Sequence, residues 1–212
     1  MSAVREGAQA STNDKNRRPA DGRVARSHQT IEHIVGALLE LVERDGHMRP
    51  TAYQVARRAG VSRRGLYLHF DTIEDVFATA AERRSRQVQA AWKPPPTEAP
   101  LEERIVRFCR RWASLLEVLN PVRRAAAIHE PSSHRITAAA DRTRRWAGAA
   151  VEQTFSPEIA ALPGDERNQL VTALHRATSW CAWEDLRRDG CDVPQAAEAM
   201  RQLLTALLRR AF

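Results

Sequence analysis

The sequence predicts an all-α protein in which an N-terminal three-helix domain precedes a larger helical domain. Apolar residues recur at the three- and four-residue spacing of amphipathic helices from Ile31 almost to the C-terminus, and no convincing strand pattern appears. The 212 residues are enough for a small domain joined to a larger one. We expect the boundaries 1–26, 27–72 and 73–212.

The composition predicts a globular protein with a basic surface. It is 43% hydrophobic and 28% charged, which supports a substantial core. The formal net charge of +7 points to a polyanionic partner, and most of the excess lies in the first 70 residues, with 12 basic against 7 acidic side chains. Residues 1–26 are polar and of mixed charge, so we expect a flexible basic arm there and a cytoplasmic protein without a membrane span.

Cysteine and histidine spacing does not indicate a metal site. The three cysteines form no CxxC pair and are odd in number, so neither zinc nor a disulfide framework is expected. His129, His134 and His175 lack close ligand spacing and neighbouring thiols. We therefore expect no metal and no cofactor.

Capping residues mark the first helices. A helix begins near Ile31 and ends at Asp45-Gly46. Thr51-Ala-Tyr-Gln54 is a capping box that opens a second helix to about residue 59. Gly60-Val61-Ser62 then supplies a tight turn and the cap of a third helix over residues 63–70.

The later helices follow from the same periodicity. Thr72-Ile-Glu-Asp75 opens a fourth helix toward Trp92, and Pro94-Pro95-Pro96 ends it. The remaining predicted helices cover residues 101–119, 122–129, 132–155, 165–188 and 194–210. Pro121 and Pro131 are expected to separate the short helix 122–129 from its neighbours.

Residues 51–70 fit the helix-turn-helix plan, in which the second helix lies in the DNA major groove. Thr51-Ala-Tyr-Gln-Val-Ala-Arg-Arg-Ala-Gly-Val-Ser62, followed by Leu66-Tyr67-Leu68-His69-Phe70, resembles the signature of the TetR family of bacterial repressors. The resemblance is strong over residues 30–80. Beyond them it is architectural, carried by Trp180-Cys-Ala-Trp183 and an amphipathic last helix that look like the family's ligand-binding and dimerisation domain.

Three positions depart from the usual family pattern. Arg64 stands where the family usually has a small residue, and Gly65 where it has threonine, serine or alanine. Gly65 costs about 1 kcal/mol of helix propensity relative to alanine, but it also lets the backbone approach DNA closely. Ile73 replaces a common lysine, so the phosphate contact of that lysine should be missing.

The predicted DNA contacts lie on the second and third helices. They are Thr51, Tyr53, Ser62, Arg63, Arg64, Gly65, Tyr67 and His69. Arg63 is the expected base reader, because a guanidinium can donate two hydrogen bonds to guanine. The resemblance implies backbone contacts for Tyr67 and His69, with packing inside the domain as the alternative. Thr51 is explained equally well as a cap.

The resemblance also implies a ligand cavity and a dimer interface in the C-terminal part. The expected cavity residues are Phe108, Trp112, Leu115, Leu116, Leu119 and Trp146, each with core packing as the alternative. The expected interface residues are Leu170, Leu174, Cys181, Leu203, Leu204, Leu207 and Leu208. A two-fold dimer would require a palindromic DNA target.

These features predict a sequence-specific transcriptional regulator. The resemblance implies a homodimeric repressor that binds a palindromic operator in double-stranded DNA and leaves it when a small-molecule effector binds, with the fourth helix carrying the coupling. A regulator without such an effector is the alternative, its C-terminal part serving dimerisation alone or a partner protein. An enzyme is disfavoured, because the sequence offers neither paired carboxylates nor a nucleophile with a base.

Overall fold

The protein is described here by a computed structural model that covers the backbone of residues 18–209 and the side chains of residues 24–209. These residues form α-helices and one 3-10 turn, without a strand, so the predicted all-α class is confirmed. The helices are α1 (Arg18–Glu43), α2 (Ala52–Arg58), α3 (Arg63–Tyr67), α4 (Ile73–Ala91), α5 (Leu101–Ala127), α6 (His134–Thr154), α7 (Ser156–Ala160), α8 (Gly164–Ala177), α9 (Trp180–Arg188) and α10 (Val193–Arg209), with the 3-10 turn at Glu130–Ser132.

The predicted N-terminal arm differs from the structure in part. Residues 18–26, which we expected to be irregular, form the first turns of α1. Residues 1–17 lie outside the described residues. The first helix is therefore longer than the apolar pattern from Ile31 indicates, because the sequence of residues 18–26 carries no apolar period.

The helix-turn-helix forms from local caps, as predicted. Thr51 and Gln54 make a capping box, in which the Gln54 side chain accepts the Thr51 backbone N–H at 2.8 Å. Gly60 takes a φ of +69° in the turn, a conformation that costs glycine nothing. Ser62 Oγ accepts the Gly65 backbone N–H at 2.9 Å and so opens α3. The third helix ends at Tyr67, earlier than predicted.

The expected helix break at Pro121 is wrong. α5 runs through this proline without interruption from Leu101 to Ala127. Proline lacks an N–H and leaves one carbonyl of the preceding turn without its helical partner. The turn that follows is held by packing, because Val122, Ala125 and Ala126 are buried in the core.

The predicted helix over 165–188 is two helices. α8 ends at Ala177, and Ser179 opens α9 by accepting the Ala182 backbone N–H at 3.2 Å. Thr178 lies between the two helices, and its carbonyl accepts the indole N–H of Trp112 at 2.8 Å. This tertiary hydrogen bond uses the carbonyl at the point where the helix divides.

Two hydrophobic cores share the helices α5 and α6. The first core joins α1–α4 to the last turns of α5 and to Ile136 at the start of α6. The second core joins the first half of α5 to α6, α8, α9 and α10. The first core therefore extends well beyond residue 72, where the pattern of motifs placed the end of the N-terminal domain.

Candidate DNA-binding surface and ligand cavity

The orientation of α3 decides which side chains are offered to a partner. Leu66 is fully buried and defines the inward direction of this helix. Successive residues are rotated by about 100°, so Arg64 and Leu68 each lie about 160° from Leu66. Both are exposed, Leu68 to 75%. Arg64 and Leu68 therefore point most directly away from the protein.

Arg63 and Tyr67 occupy the flank of the same helix. They lie about 60° and 100° from Leu66, and the Arg63 guanidinium lies over the Tyr67 ring at 5.7 Å from its centroid. Tyr67 is 40% exposed and Tyr53 of α2 is 63% exposed. The exposed side of α3, together with Tyr53 of α2, thus combines two cations, two phenols and Leu68, which sequence reasoning did not select.

Two predicted contacts are caps in the structure, and a third, Gly65, donates its N–H to one of them. Thr51 and Ser62 are exposed and open α2 and α3 respectively. A side chain on Gly65 would place its Cβ 3.2 Å from Ser62 Oγ, closer than ordinary packing allows. The glycine therefore leaves room for the cap of α3, which is called the reading helix below. This is a local reason for a glycine here, besides any approach to DNA.

His69 and Ile73 join the helix-turn-helix to its surroundings. His69 is half-buried, with Nδ1 3.4 Å from Ser27 Oγ of α1. Ile73, which stands where the family commonly has lysine, packs against the first core. The helix-turn-helix is therefore anchored on both sides.

Polar contacts tie the start of α4 to the larger part of the molecule. Asp75 completes a capping box with Thr72, and its other oxygen accepts from Arg135 of α6 at 2.8 Å. Glu74 Oε1 lies 3.2 Å from His129 Nδ1, and the His129 ring packs against Phe77. Burial alone would raise the pKa of Asp75, but the hydrogen bonds from Thr72 and Arg135 together lower it below the ordinary 3.8.

A cavity of about 440 Å³ lies between α5, α6, α8 and the start of α9, with Ala81 and Val88 of α4 on its wall. This volume is within the roughly 300–1,000 Å³ of small-molecule sites. Trp112 and Trp146 stack on one another at its side, with ring centroids 5.6 Å apart. Trp180 also lines the cavity.

Five of the six residues predicted for a cavity lie together around this one. They are Trp112, Leu115, Leu116, Leu119 and Trp146. Phe108 does not line it. Phe108 is fully buried between Trp92, Trp112 and Phe155, so the helical spacing that placed it beside Trp112 puts it in the second core instead.

The residues predicted for a dimer interface divide between core and surface. Leu170, Leu174, Leu204 and Leu208 are buried within a single chain and form part of the second core, so a partner cannot cover them. Cys181 is exposed but lines the cavity. Leu203 is 49% exposed and Leu207 is half-buried, and both remain on the surface of α10.

The described residues offer no metal site and no reactive buried thiol. They contain no group of three His, Cys, Asp or Glu side chains placed to hold a metal ion. Burial raises the pKa of the Cys109 thiol to about 12, which keeps it protonated. In the same part of the chain, no helix has the length and apolarity needed to cross a membrane.

Known proteins share both the motif and the fold. The family described as "Bacterial regulatory proteins, tetR family" matches residues 34–80. A TetR-family transcriptional regulator from Streptomyces coelicolor is 20% identical with a TM-score of 0.62, over 87% of this chain and 88% of that chain. A TetR-family regulator from Mesorhizobium loti MAFF303099 is 17% identical with a TM-score of 0.62, over 87% and 98%.

A third solved structure is the multidrug binding protein EbrR complexed with imidazole. It is 21% identical with a TM-score of 0.53, over 82% of this chain and 93% of that chain. No curated protein matches the chain. The regulators of the matching family are DNA-binding proteins and not enzymes. By this match, residues 34–80 are the N-terminal DNA-binding region of the TetR family of bacterial regulatory proteins.

Proposed function

We propose that this chain is a cytoplasmic homodimeric repressor that occupies a palindromic operator and releases it when a small molecule fills the cavity. The observation that carries the proposal is α4, which begins six residues after α3 and contributes Ala81 and Val88 to the cavity wall. A ligand that binds better to one position of α4 shifts the population of reading-helix positions.

Arg64 and Leu68 are the proposed base contacts. They point away from the core, and a recognition helix presents such residues to base edges in the major groove. Arg64 can donate two hydrogen bonds to guanine O6 and N7, and Leu68 can pack on a thymine methyl group. Arg63 lies with Tyr67 on the flank, where both can reach phosphate oxygens.

Dimerisation through α10 is supported by the surface leucines. Leu203 is left 49% exposed on the outside of a helix whose inner face, with Leu204 and Leu208, is already packed. Leu207 is half-buried against the second core. A two-fold axis through this face would present two reading helices at a fixed separation. The separation of the half-sites in the operator would then follow from the dimer.

The test is a titration of DNA binding. An operator is first selected from random double-stranded DNA, and protein is then titrated against the labelled operator at fixed salt with excess random competitor. We expect saturable dimeric binding that survives the competitor. Arg64→Ala should lower operator affinity by about 1–3 kcal/mol, whereas Arg110→Ala on the exposed surface of α5 should leave it unchanged.

The same titration distinguishes the proposed repressor from the alternative, a regulator without a small-molecule effector. Binding that the competitor abolishes would contradict a sequence-specific regulator. Specific binding that no small molecule weakens in a broad screen would support the rival, in which the C-terminal part serves dimerisation alone. A ligand that raises the melting temperature and lowers operator affinity would support release by occupancy of the cavity.

A further inference from the structure

The charged side chains that line the cavity are all basic. Arg123, Arg144 and Arg176 lie on its wall together with His175. Among the described residues, no aspartate or glutamate lines it. A cationic ligand would therefore lose its hydration without gaining a carboxylate partner, which is the costly case for a buried charge.

Two of these arginines pair with acidic side chains that do not line the cavity. Arg123 pairs with Glu130 at 2.7 Å and Arg144 with Asp141 at 2.5 Å, and neither acid is on the cavity wall. Arg176 has no ion pair within the described residues. One nitrogen of Arg123, Nη1, is buried without an acceptor. The wall thus holds more donors than the protein itself satisfies.

The tryptophans of the cavity offer a ligand apolar surface, because the indole N–H groups of Trp112 and Trp180 already donate to the protein. The Trp112 indole N–H donates to the Thr178 carbonyl at 2.8 Å, and that of Trp180 donates to Asn120 Oδ1 at 2.9 Å. The Trp180 face is already covered by the Arg123 guanidinium, 4.8 Å from the ring centroid. Because that face holds a cation from the protein, it cannot recognise a cationic ligand by the usual cation–π contact.

We propose that the ligand of this cavity is an amphipathic anion, a molecule with an apolar or aromatic body and one carboxylate group. The body lies among the stacked tryptophans and leucines, and the carboxylate meets the guanidinium groups of Arg144 and Arg176. The inference rests on the proposed function in that it names the class of effector for the same site.

The test compares three ligands that share a phenylalkyl body and carry a negative, a neutral or a positive head group. Calorimetric titrations at pH 7 use 4-phenylbutyrate, 4-phenylbutyramide and 4-phenylbutylamine with the full-length protein. We expect the carboxylate to bind at least about tenfold more tightly than the amine, with the amide between them. The operator titration on the same preparation establishes separately that the protein is an active DNA-binding regulator.

Two neighbouring arginines supply a matched control. Arg144 and Arg145 are both exposed on α6, but only Arg144 lines the cavity. The double variant Arg144→Gln, Arg176→Gln should weaken 4-phenylbutyrate binding about tenfold and leave the amide unchanged, whereas Arg145→Gln should change neither. Arg176→Gln alone should weaken binding of the carboxylate ligand about threefold. The Arg176 side chain is exposed, so this substitution should leave folding intact.

Several outcomes would overturn the inference. They are equal or tighter binding of the amine, failure of all three ligands to bind, and an unchanged carboxylate affinity in the double variant. In each of these cases specific operator binding would leave the DNA-binding part of the proposed function intact. Loss of specific operator binding with the carboxylate preference intact would instead contradict the proposed function alone.

Discussion

At the scale of single residues, the reading helix presents a cation and a hydrocarbon side by side. Arg64 and Leu68 lie four residues apart and so share one face of α3, opposite the buried Leu66. Single exposed leucines are common on protein surfaces. This one lies where the helix would enter the groove, and there a thymine methyl group is the apolar feature that DNA offers.

Removing one methyl group from DNA tests the role of Leu68. Replacing the contacted thymine by deoxyuridine should weaken binding of the unaltered protein about fourfold, since a buried methylene is worth about 0.8 kcal/mol. Leu68→Ala should weaken binding by a similar factor and should then make the protein indifferent to deoxyuridine. The measurement is a competition titration with both operators.

The control for the combination of Leu68→Ala with deoxyuridine is Val106→Ala. Val106 of α5 is exposed to 51% and lies far along the chain from the helix-turn-helix, so its truncation should preserve the full deoxyuridine effect. If Leu68→Ala also kept the full effect at every thymine of the operator, Leu68 would not contact a methyl group.

At the scale of elements, α4 is held at its start by charges and along its length by apolar packing. Asp75 caps the helix through Thr72 and accepts from Arg135 of α6, while Val76 and Phe77 are fully buried. The capping box fixes where α4 begins, shortly after the end of α3. The contact with α6 joins that entry to the part of the molecule that holds the cavity.

Asp75→Asn should lower the free energy of unfolding by about 1–2 kcal/mol at pH 7, because the amide cannot replace the carboxylate in both hydrogen bonds. The folded-state pKa of Asp75 is lowered, so its contribution is complete above about pH 4 and is lost as the pH falls below 3.8 through the lowered pKa. Urea unfolding at pH 7 and pH 3 should therefore show that the free energies of unfolding of the unaltered protein and of Asp75→Asn differ less at pH 3.

Asp141→Asn is the matched control for this prediction. Asp141 also pairs with an arginine, Arg144, but on the surface of one helix, where such pairs contribute little. It should change stability by less than about 0.5 kcal/mol at either pH. A pH-independent deficit in Asp75→Asn would show that the cap alone, and not its charge, stabilises α4.

Local signals explain which elements could be predicted. α2, α3 and α4 begin where Thr51, Ser62 and Thr72 supply caps, because a cap acts within one turn of its own helix. The helix break predicted at Pro121 was wrong because continuation of a helix is not decided locally. Whether a helix continues past a proline depends on the packing of the turn beyond it, and that packing comes from residues distant in sequence.

The residues of the candidate sites were predicted only in part, because contacts distant in sequence also decide which side chains line a cavity or remain exposed. Periodicity identifies an apolar face but not what covers it, so Leu174 and Leu204 of the core were grouped with Leu203 of the surface. Phe108 and Trp112 lie four residues apart on α5, yet only Trp112 reaches the cavity. Leu68 was overlooked because its exposure follows from the orientation of α3.

At the scale of the whole molecule, the surface leucine of α10 tests dimerisation. Leu203→Glu should shift the protein to monomers in sedimentation velocity and lower operator affinity by about tenfold or more, because a buried charge at a symmetric interface is repeated in both copies. Val106→Glu, a substitution of equal exposure on α5, should leave the dimer intact. Dissociation by Val106→Glu alone would place the interface on α5.

The sharing of α5 between two cores limits how this protein can be cut and recombined. Val122, Ala125 and Ala126 complete the core of α1–α4, although they lie about fifty residues beyond the helix-turn-helix. We expect one cooperative unfolding transition, and a fragment ending at residue 72 should fail to fold because its apolar faces meet water. A chimera that takes its helix-turn-helix from this protein must therefore also include α4, the end of α5 and the start of α6. DNA specificity can then be transferred only together with part of the domain that holds the cavity.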